Sequence, residues 1–503
     1  MIYAAAIPLA LLLGYATSSF TEPDASTFAT VGLVLFVLTL PLLIKFHHVW
    51  LIFFWNASFN VFFLPAQPHF WLLLAGMSFG ISWLDSLVGQ RPMLNVPQLT
   101  KPLLFLAGVV LLTGFFRGGI GIRAMNSAAY GGKNYFYVLG PILGFFALAA
   151  VRIPPAKARR MVNFFLLSGT TFILSNLAFL LGPSFYFLFY LLPPDAIGTQ
   201  AQGDLIAIIG GIARISGLVP TCTAVIFWLL ASSGIRGLFD IARPWRLLLF
   251  CGALAGSAFG GYRNVTFMLA LLLLCQFVCE GLILTRFLPI FAGFGACLLM
   301  SLMLFSDQLP LTVQRAISFF PVKVDPSVVQ DAEGSTRWRL DMWQVVIPDI
   351  PKYLLLGKGY SIDPADLYFA EQETKQGLVQ NYEVLRVAGD YHSGPLTLII
   401  PFGILGVIGF LWLLGAGVKV LYQNQRFGDP ALKSVNTFFL AYFITQAFVY
   451  FTIFGAFNLQ VSIFTGVLGM SVALNGGVRK AVPARAVILP SHERTAPALA
   501  ARF

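Results

Sequence analysis

Apolar residues fall along this chain in long blocks separated by short polar turns. A helix crossing the hydrocarbon core of a bilayer needs about 20 apolar residues, and by that measure the sequence predicts about 14 spans. They centre near residues 10, 35, 56, 79, 108, 143, 171, 224, 253, 273, 296, 405, 446 and 467. The blocks near 56, 108 and 253 are the weakest, being short or interrupted by Gly and Asn. The first block, "IYAAAIPLALLLGYATSSF", has no Lys or Arg ahead of it. A cleaved signal peptide carries such a basic segment, so this block is read as a retained span.

Two stretches break the pattern. Residues 183–213 are partly apolar and are expected to lie along the membrane interface. Residues 307–394 form the one large polar block, with Trp338, Trp343, Tyr353 and Tyr360 among helix-like segments. Loops longer than about 15 residues are usually functional or disordered, and this aromatic content predicts order. In "STRWRLDMW", Ser335 or Thr336 is placed to cap a helix that Pro348 and Pro351 would end. The expected organisation is therefore N-terminal spans (1–182), central spans with arginine-bearing outer segments (183–306), a large outer loop (307–394), C-terminal spans (395–477) and a disordered, Ala- and Pro-rich tail (478–503).

Composition agrees. Of 503 residues, 58% are hydrophobic and 11% charged, with mean hydropathy +0.81. Soluble domains carry about 25% charged residues, so the chain is read as an all-α polytopic membrane protein. The net charge of +11 does not point to nucleic acid, because the basic residues sit at the ends of apolar blocks. Examples are "RIPPAKARR", "GIRGLFDIARPWR", Arg286 and "KVLYQNQRFGDPALK". Lys and Arg concentrate on the cytoplasmic side of short loops. Placing these segments inside puts both termini in the cytoplasm and residues 307–394 outside. The five cysteines lie in or beside apolar blocks without metal or disulfide spacing, and are read as small buried thiols.

That sidedness gathers chemistry on the outer face. Arg214 lies in "GGIARISGLVP", Arg263 in "FGGYRNVTF", and Arg337 and Arg339 in the long loop. Arg339 and Trp343 share a helix face; Arg337 and Arg339 are about 200° apart. His392, in "AGDYHSGPLTLII", stands just before an apolar block, flanked by Gly389 and Gly394, which would let the backbone turn it. Ionisable groups near a membrane are costly. Guanidinium grips phosphate oxygens bidentately and stays charged, while imidazole switches between base and acid near neutral pH.

Read residue by residue, these side chains also have plainer uses. Arg214 and Arg263 suit interfacial anchoring, Arg337 suits a water-facing position, Arg339 suits pairing with Asp341, and His392 suits a helix start. Glu22 and Asp24, in "FTEPDAS", are the paired acids a metal-dependent transferase would place in its first outer loop. A lipid-linked oligosaccharide flippase is the other alternative.

The order of the segments resembles the O-antigen ligase and Wzy-type polysaccharide polymerase family over about residues 205–415. "RWRLDMWQVVIPDIPKYLLLGKGYS" is similar to its Arg-x-x-x-Trp … Pro … Gly-x-Gly segment, and "YHSGPLTLIIPFGILGVIGFLWLL" to its His-Ser element and the span that follows. "ARISGLVPTCTAVIFWLL" and "GYRNVTFMLALLLL" are similar to its two arginine-bearing spans, with Tyr262 standing where the family has Ser. The resemblance implies a GT-C-like membrane glycosyltransferase of the bacterial inner membrane, with its site facing the periplasm. It implies an inverting reaction without metal or other cofactor. The donor would be a glycan on undecaprenyl diphosphate, and the acceptor a hydroxyl of lipid A core, a glycan repeat or a protein. On this reading His392 is the catalytic base and Arg214, Arg263 and Arg339 bind diphosphate. Arg337, Trp338, Trp343 and Tyr391 are possible sugar contacts.

Overall fold

The computed structural model describes residues 25–62, 67–89, 93–120, 131–193, 214–376 and 382–480, with Gly14 and Leu64. The block near residue 10, Glu22, Asp24, most of the 183–213 stretch and the tail beyond 480 lie outside the described residues. Among those described there is no β-strand. The first helices, α1 (Ala25–Lys45) and α2 (His47–Phe54), meet at a bend of 108°. Then come α3 (Phe70–Leu87), α4 (Pro97–Arg117), α5 (Gly132–Ala149) and α6 (Pro155–Leu167). A 3-10 turn joins α6 to α7 (Ile173–Leu181), and a second 3-10 segment covers Pro183–Tyr190. After these come α8 (Leu218–Leu238), α9 (Trp245–Ala258), α10 (Arg263–Cys279) and α11 (Phe287–Phe305).

The polar block folds as α12 (Leu311–Ile317), α13 (Pro326–Val346), α14 (Ile350–Tyr353), α15 (Pro364–Lys375) and α16 (Glu383–Ala388). The last three helices are α17 (Gly394–Phe427), α18 (Lys433–Thr452) and α19 (Phe457–Asn475). Among the described residues eight helical stretches are long and apolar enough to cross a membrane, or nine with the bent α1–α2 pair as one span. This is a polytopic, all-helical membrane protein.

The span pattern differs from the sequence expectation at the blocks near 56, 143, 253 and 273. The block near 143 gives the 18-residue α5, whose polar first turn leaves it less apolar than a span. The block near 56 gives the eight-residue α2 and then turns, its Asn56 side chain donating to the Phe165 carbonyl at 2.7 Å. The blocks near 253 and 273 give helices of 14 and 17 residues, shorter than the bilayer core requires. The weak block near 108, by contrast, is the full 21-residue helix α4.

The core sits around α19, which is buried along most of its length. Small residues let its neighbours approach: a side chain on Gly466 would strike Trp55, and one on Gly469 would strike Leu148. At the other extreme, α11 has no buried residue. It touches the bundle along one edge, through Phe291 and Phe294, and its remaining apolar surface is the kind that hydrocarbon solvates.

The polar block is tied into this bundle at a break in α17. Pro401 lacks an N–H and Gly403 leaves helical geometry, so backbone groups near the break lose their helical partners. The segment after α14 supplies them. Lys358 and Gly359 donate their N–H groups to the Ile400 and Pro401 carbonyls at 2.7 and 2.9 Å, and Ile404 donates to the Leu354 carbonyl at 2.7 Å. Gly357, at φ +82°, passes so close to the Pro401 carbonyl that any Cβ would overlap it. Thr113 and Arg117 of α4 donate to the Leu356 and Gly357 carbonyls, and Tyr135 of α5 donates a hydroxyl to Gly118 while accepting from the Tyr360 N–H. The Gly-x-Gly segment is thus a joint between loop and membrane helices.

Candidate active site

Four segments converge at one end of the bundle: the turn before α8, the turn before α10, the short helix α12, and the long helix α13. The start of α13 is set by Asp325, whose carboxylate accepts the Ser327 N–H at 2.8 Å, with Pro326 in the first turn. Capping therefore falls ten residues earlier than the expectation at Ser335 or Thr336. Thr336 is mid-helix and bonds the Ala332 carbonyl at 3.0 Å. Pro348 and Pro351 do follow the helix end, opening a 3-10 turn and α14.

The convergence brings arginines together. Gly261, at φ +66°, makes the turn that starts α10 at Arg263. Its carbonyl accepts from the Arg315 guanidinium of α12, which also pairs with Asp331 of α13. Arg214 approaches the same Asp331 carboxylate at 3.7 Å. Arg263 donates to the Ala332 carbonyl at 3.0 Å and to Thr336 Oγ1 at 3.3 Å. Arg339, two turns further along α13, is half-buried, stands over the Phe454 ring at 5.9 Å, and has its Nε buried without a partner.

The electrostatics follow. Burial, and then the positive charge of Arg315, lower the Arg214 pKa despite Asp331. Burial, and then Arg263 and Arg315, lower that of Arg339. Arg214 and Arg315 share the Asp331 carboxylate, while Arg263 and Arg339 stand in the same patch without contacting it, so the cations of the cluster outnumber this one acid. Unbalanced cations in a partly desolvated site attract an anion of matching charge.

His392 adjoins this patch through aromatic rings. Its imidazole lies edge-on to Phe454 at 5.4 Å and to Trp338 at 5.2 Å, and Phe454 is the ring beneath Arg339. The residue sits in the left-handed region, at φ +49°, which non-glycine residues seldom adopt. An Asx-type turn helps hold it there, with Asp390 Oδ1 accepting the His392 N–H at 3.2 Å. The same oxygen is 3.2 Å from His392 Nδ1. That is ion-pair range but off the hydrogen-bond direction, so Nδ1 has no directed partner. Burial pushes the Asp390 carboxyl up, but its contacts with His392 outweigh this and hold it below the ordinary carboxylate range.

The glycines flanking His392 divide the work. Gly389, at φ +79°, ends α16. Gly394 is a packing position, since a Cβ there would meet the Tyr450 backbone. The turn at the histidine is taken by His392 itself.

Of the expected sugar contacts, Trp338 is beside His392, whereas Arg337 is exposed on another face of α13. Trp343 donates its Nε1–H to the Tyr391 carbonyl at 2.8 Å. Tyr391 is buried with Met342, Val346, Leu396 and Ile400, and burial pushes its hydroxyl up to about 12. These two residues fasten α13 to the start of α17 and so fix the height of His392.

Sequence reading missed Arg315, Asp331 and Asp390. Asp390 had a local signal, Asp-x-His immediately before a span. Arg315 and Asp331 had none, since nothing in "TVQRAISFF" or "VVQDAEG" marks them as partners.

The fold and this site define an all-α membrane protein with a cationic patch and a histidine in one polar region. Residues 204–411 match the family model described as O-antigen ligase. The chain thus carries an O-antigen ligase family domain, as the ordered motifs implied, and every residue of the cluster except Phe454 falls inside it. No curated protein matches the chain in sequence.

Proposed function

We propose that this protein is a membrane glycosyltransferase that moves a glycan from a lipid diphosphate carrier, undecaprenyl diphosphate, to a hydroxyl acceptor. The observation that carries the reading is the patch of four arginines, two of them on the Asp331 carboxylate, adjoining His392 through Phe454. The family domain supports glycosyl transfer involving a lipid-linked donor. The site faces the periplasm of the inner membrane, and both termini are cytoplasmic. The transmembrane bundle is GT-C-like.

In this reading the donor diphosphate lies across Arg214, Arg263, Arg315 and Arg339. Asp331 gives way as the phosphate oxygens take its place. The Asp390 carboxylate, 3.2 Å from Nδ1, favours the proton on that nitrogen, which leaves Nε2 to accept one from the acceptor. The acceptor hydroxyl attacks the anomeric carbon from the face opposite the diphosphate. A C–O bond forms to the acceptor as the C–O bond to the diphosphate breaks, so the anomeric configuration inverts. The hydroxyl proton passes to His392, which later releases it to water. Charge grows on the departing diphosphate, and fixed guanidiniums stabilise it without reorganising. Because these cations come from side chains, the reaction proceeds without a metal. Trp338, beside the histidine, is placed to stack on a sugar face, while Trp343 and Tyr391 hold the histidine's support in position. The acceptor is a sugar hydroxyl of lipid A core or of a glycan repeat, or a protein hydroxyl.

The test is a purified, reconstituted assay with a lipid-diphosphate glycan donor and a hydroxyl acceptor. Formation of a glycosidic bond, undiminished by EDTA, is expected. Carrier movement without bond formation would make the protein a flippase. Loss of activity with EDTA would make it a metal-dependent transferase. In cells, the glycan of a deletion strain separates the two transfer reactions. Carrier-bound full-length polymer marks a ligase, and single repeats mark a polymerase.

A further inference from the structure

At the end of the bundle opposite His392 a groove of about 720 Å³ opens between α4 and α17. Asn95 and Gln98 at the start of α4, Trp412 and Lys419 on α17, and Lys480 just after α19 line it, with Lys101 between. The three lysines come from three separate elements, and all are exposed. Among the described residues that line the groove there is no acid to balance them. The start of α4 adds its own partial positive charge, since the first N–H groups of a helix lack internal partners.

The groove is not an isolated basic pocket. Along α4, the face bearing Lys101 continues through Leu104 and Phe105, which are 57% and 36% exposed. Along α17, the face bearing Lys419 and Trp412 continues through Ile408, which is 49% exposed. The Phe105 and Trp412 rings lie 6.0 Å apart and close the seam between the helices. Gly409 permits this approach, since a Cβ there would overlap Phe105. A cationic hollow at the membrane edge therefore runs directly into an apolar surface of span helices. A soluble anion would use only the first part of this surface. A phosphodiester headgroup bearing acyl chains would use both.

We infer that this groove binds an anionic phospholipid of the phosphatidylglycerol type, with its phosphodiester among Lys101, Lys419 and Lys480 and its chains along α4 and α17. The headgroup neutralises lysines that the protein leaves unbalanced. The lipid also bridges the helix that opens the α4–α5 segment to the helix that follows His392. This inference is independent of the transfer reaction proposed above.

The experiment uses the full chain in phosphatidylcholine nanodiscs doped with a photoreactive phosphatidylglycerol. Cross-links are expected in peptides around residues 95–105 and 408–419. Unlabelled phosphatidylglycerol should compete, and excess phosphatidylcholine or free glycerol phosphate should not. The triple variant Lys101→Gln, Lys419→Gln, Lys480→Gln should capture the probe at least about tenfold less well, as expected for losing three lysines at an anionic lipid surface. Cross-links spread over other helices, or equal capture by the variant, would overturn the proposal. Displacement by glycerol phosphate would also overturn it, because the site would then be one for a soluble anion. Should the variant not fold, the cross-link map on the unaltered protein decides the question alone.

Discussion

The two ends of α17 hold two polar clusters built on opposite terms. At the end away from His392, Asn424, Asn436 and Asn475 are almost fully buried and satisfy one another. Asn436 donates to the Asn424 carbonyl and to Asn475 Oδ1, both at 3.1 Å. Asn475 donates to Asn436 Oδ1 at 2.9 Å and to the Ser471 carbonyl at 2.8 Å. Asn424 donates to Ser471 Oγ and accepts from the Arg479 N–H. Every group here is neutral, and each side-chain amide is engaged. At the other end, four arginines cluster where only Arg214 and Arg315 reach Asp331, Arg339 Nε lacks a partner, and His392 Nδ1 is misaligned in a strained backbone. A buried polar network with all groups paired adds rigidity, whereas unpaired buried groups cost free energy and persist where something else selects them. The first cluster is a joint between helices. The second has the unpaired charge that the proposed transfer reaction would use.

Substitutions can break this comparison. The largest expected effect is from His392→Ala, which should lower transfer by about 10²–10⁴-fold, the range for losing a general base. Near-normal turnover in a purified assay would remove His392 from that role. Next comes Arg339→Lys, with an expected loss of roughly tenfold to a hundredfold, because an ammonium keeps the charge but lacks the planar fork. An unchanged rate would make Arg339 a packing residue.

Asn436→Ala probes the opposite cluster. It strands buried partners on Asn424 and Asn475, at about 1–3 kcal/mol of stability for each unsatisfied group. A falling Tm with unchanged transfer per folded molecule is expected, and a catalytic defect at full stability would erase the distinction between the two ends.

Asp390→Asn should change the pH profile more than the maximal rate. The Asp390 carboxyl is held below its usual range. A depressed carboxyl contributes stability that is present above its unfolded pKa, about 3.9, and is lost as pH falls through the lower folded value. The loop should therefore be insensitive to this group from neutral pH down to about 4, and Asp390→Asn should remove the acid-side stability change seen in the unaltered protein. An identical acid limb in both would show that the carboxylate does not act on His392. The smallest effect is expected from Arg337→Ala, within about twofold in rate, as for other exposed positions. A tenfold loss would instead place Arg337 against the substrate.

The site was partly legible in the linear chain. Arg214, Arg263, Arg339 and His392 stood out because charge beside an apolar block is costly wherever it occurs, and that cost is visible without a fold. Arg315 was not legible, since its importance comes from packing against Gly261 and Asp331, which are distant in sequence. The same holds for Phe454, an ordinary aromatic in the sequence that joins the cationic patch to the histidine in space. Helix starts were less legible than helix existence. Ser335 and Thr336 have good capping chemistry, but a cap needs a chain entering from outside the helix, and Asp325 with Pro326 had already begun it.

By itself, the sequence determined that the protein is a helical membrane protein, because burying a backbone in hydrocarbon forces its hydrogen bonds into helices and leaves long apolar blocks as the record. It also determined where the large polar block lies and which ionisable residues are expensive. Only the tertiary structure decided how many blocks become full spans, since helix length and bends depend on packing partners. It alone seated the Gly-x-Gly segment in the break of α17, through hydrogen bonds to the Ile400 and Pro401 carbonyls, freed where Gly403 leaves helical geometry. It alone set His392 beside the arginines, because the turn that aims the ring is stabilised by contacts from α13, α18 and Phe454 that converge in space and not in the chain.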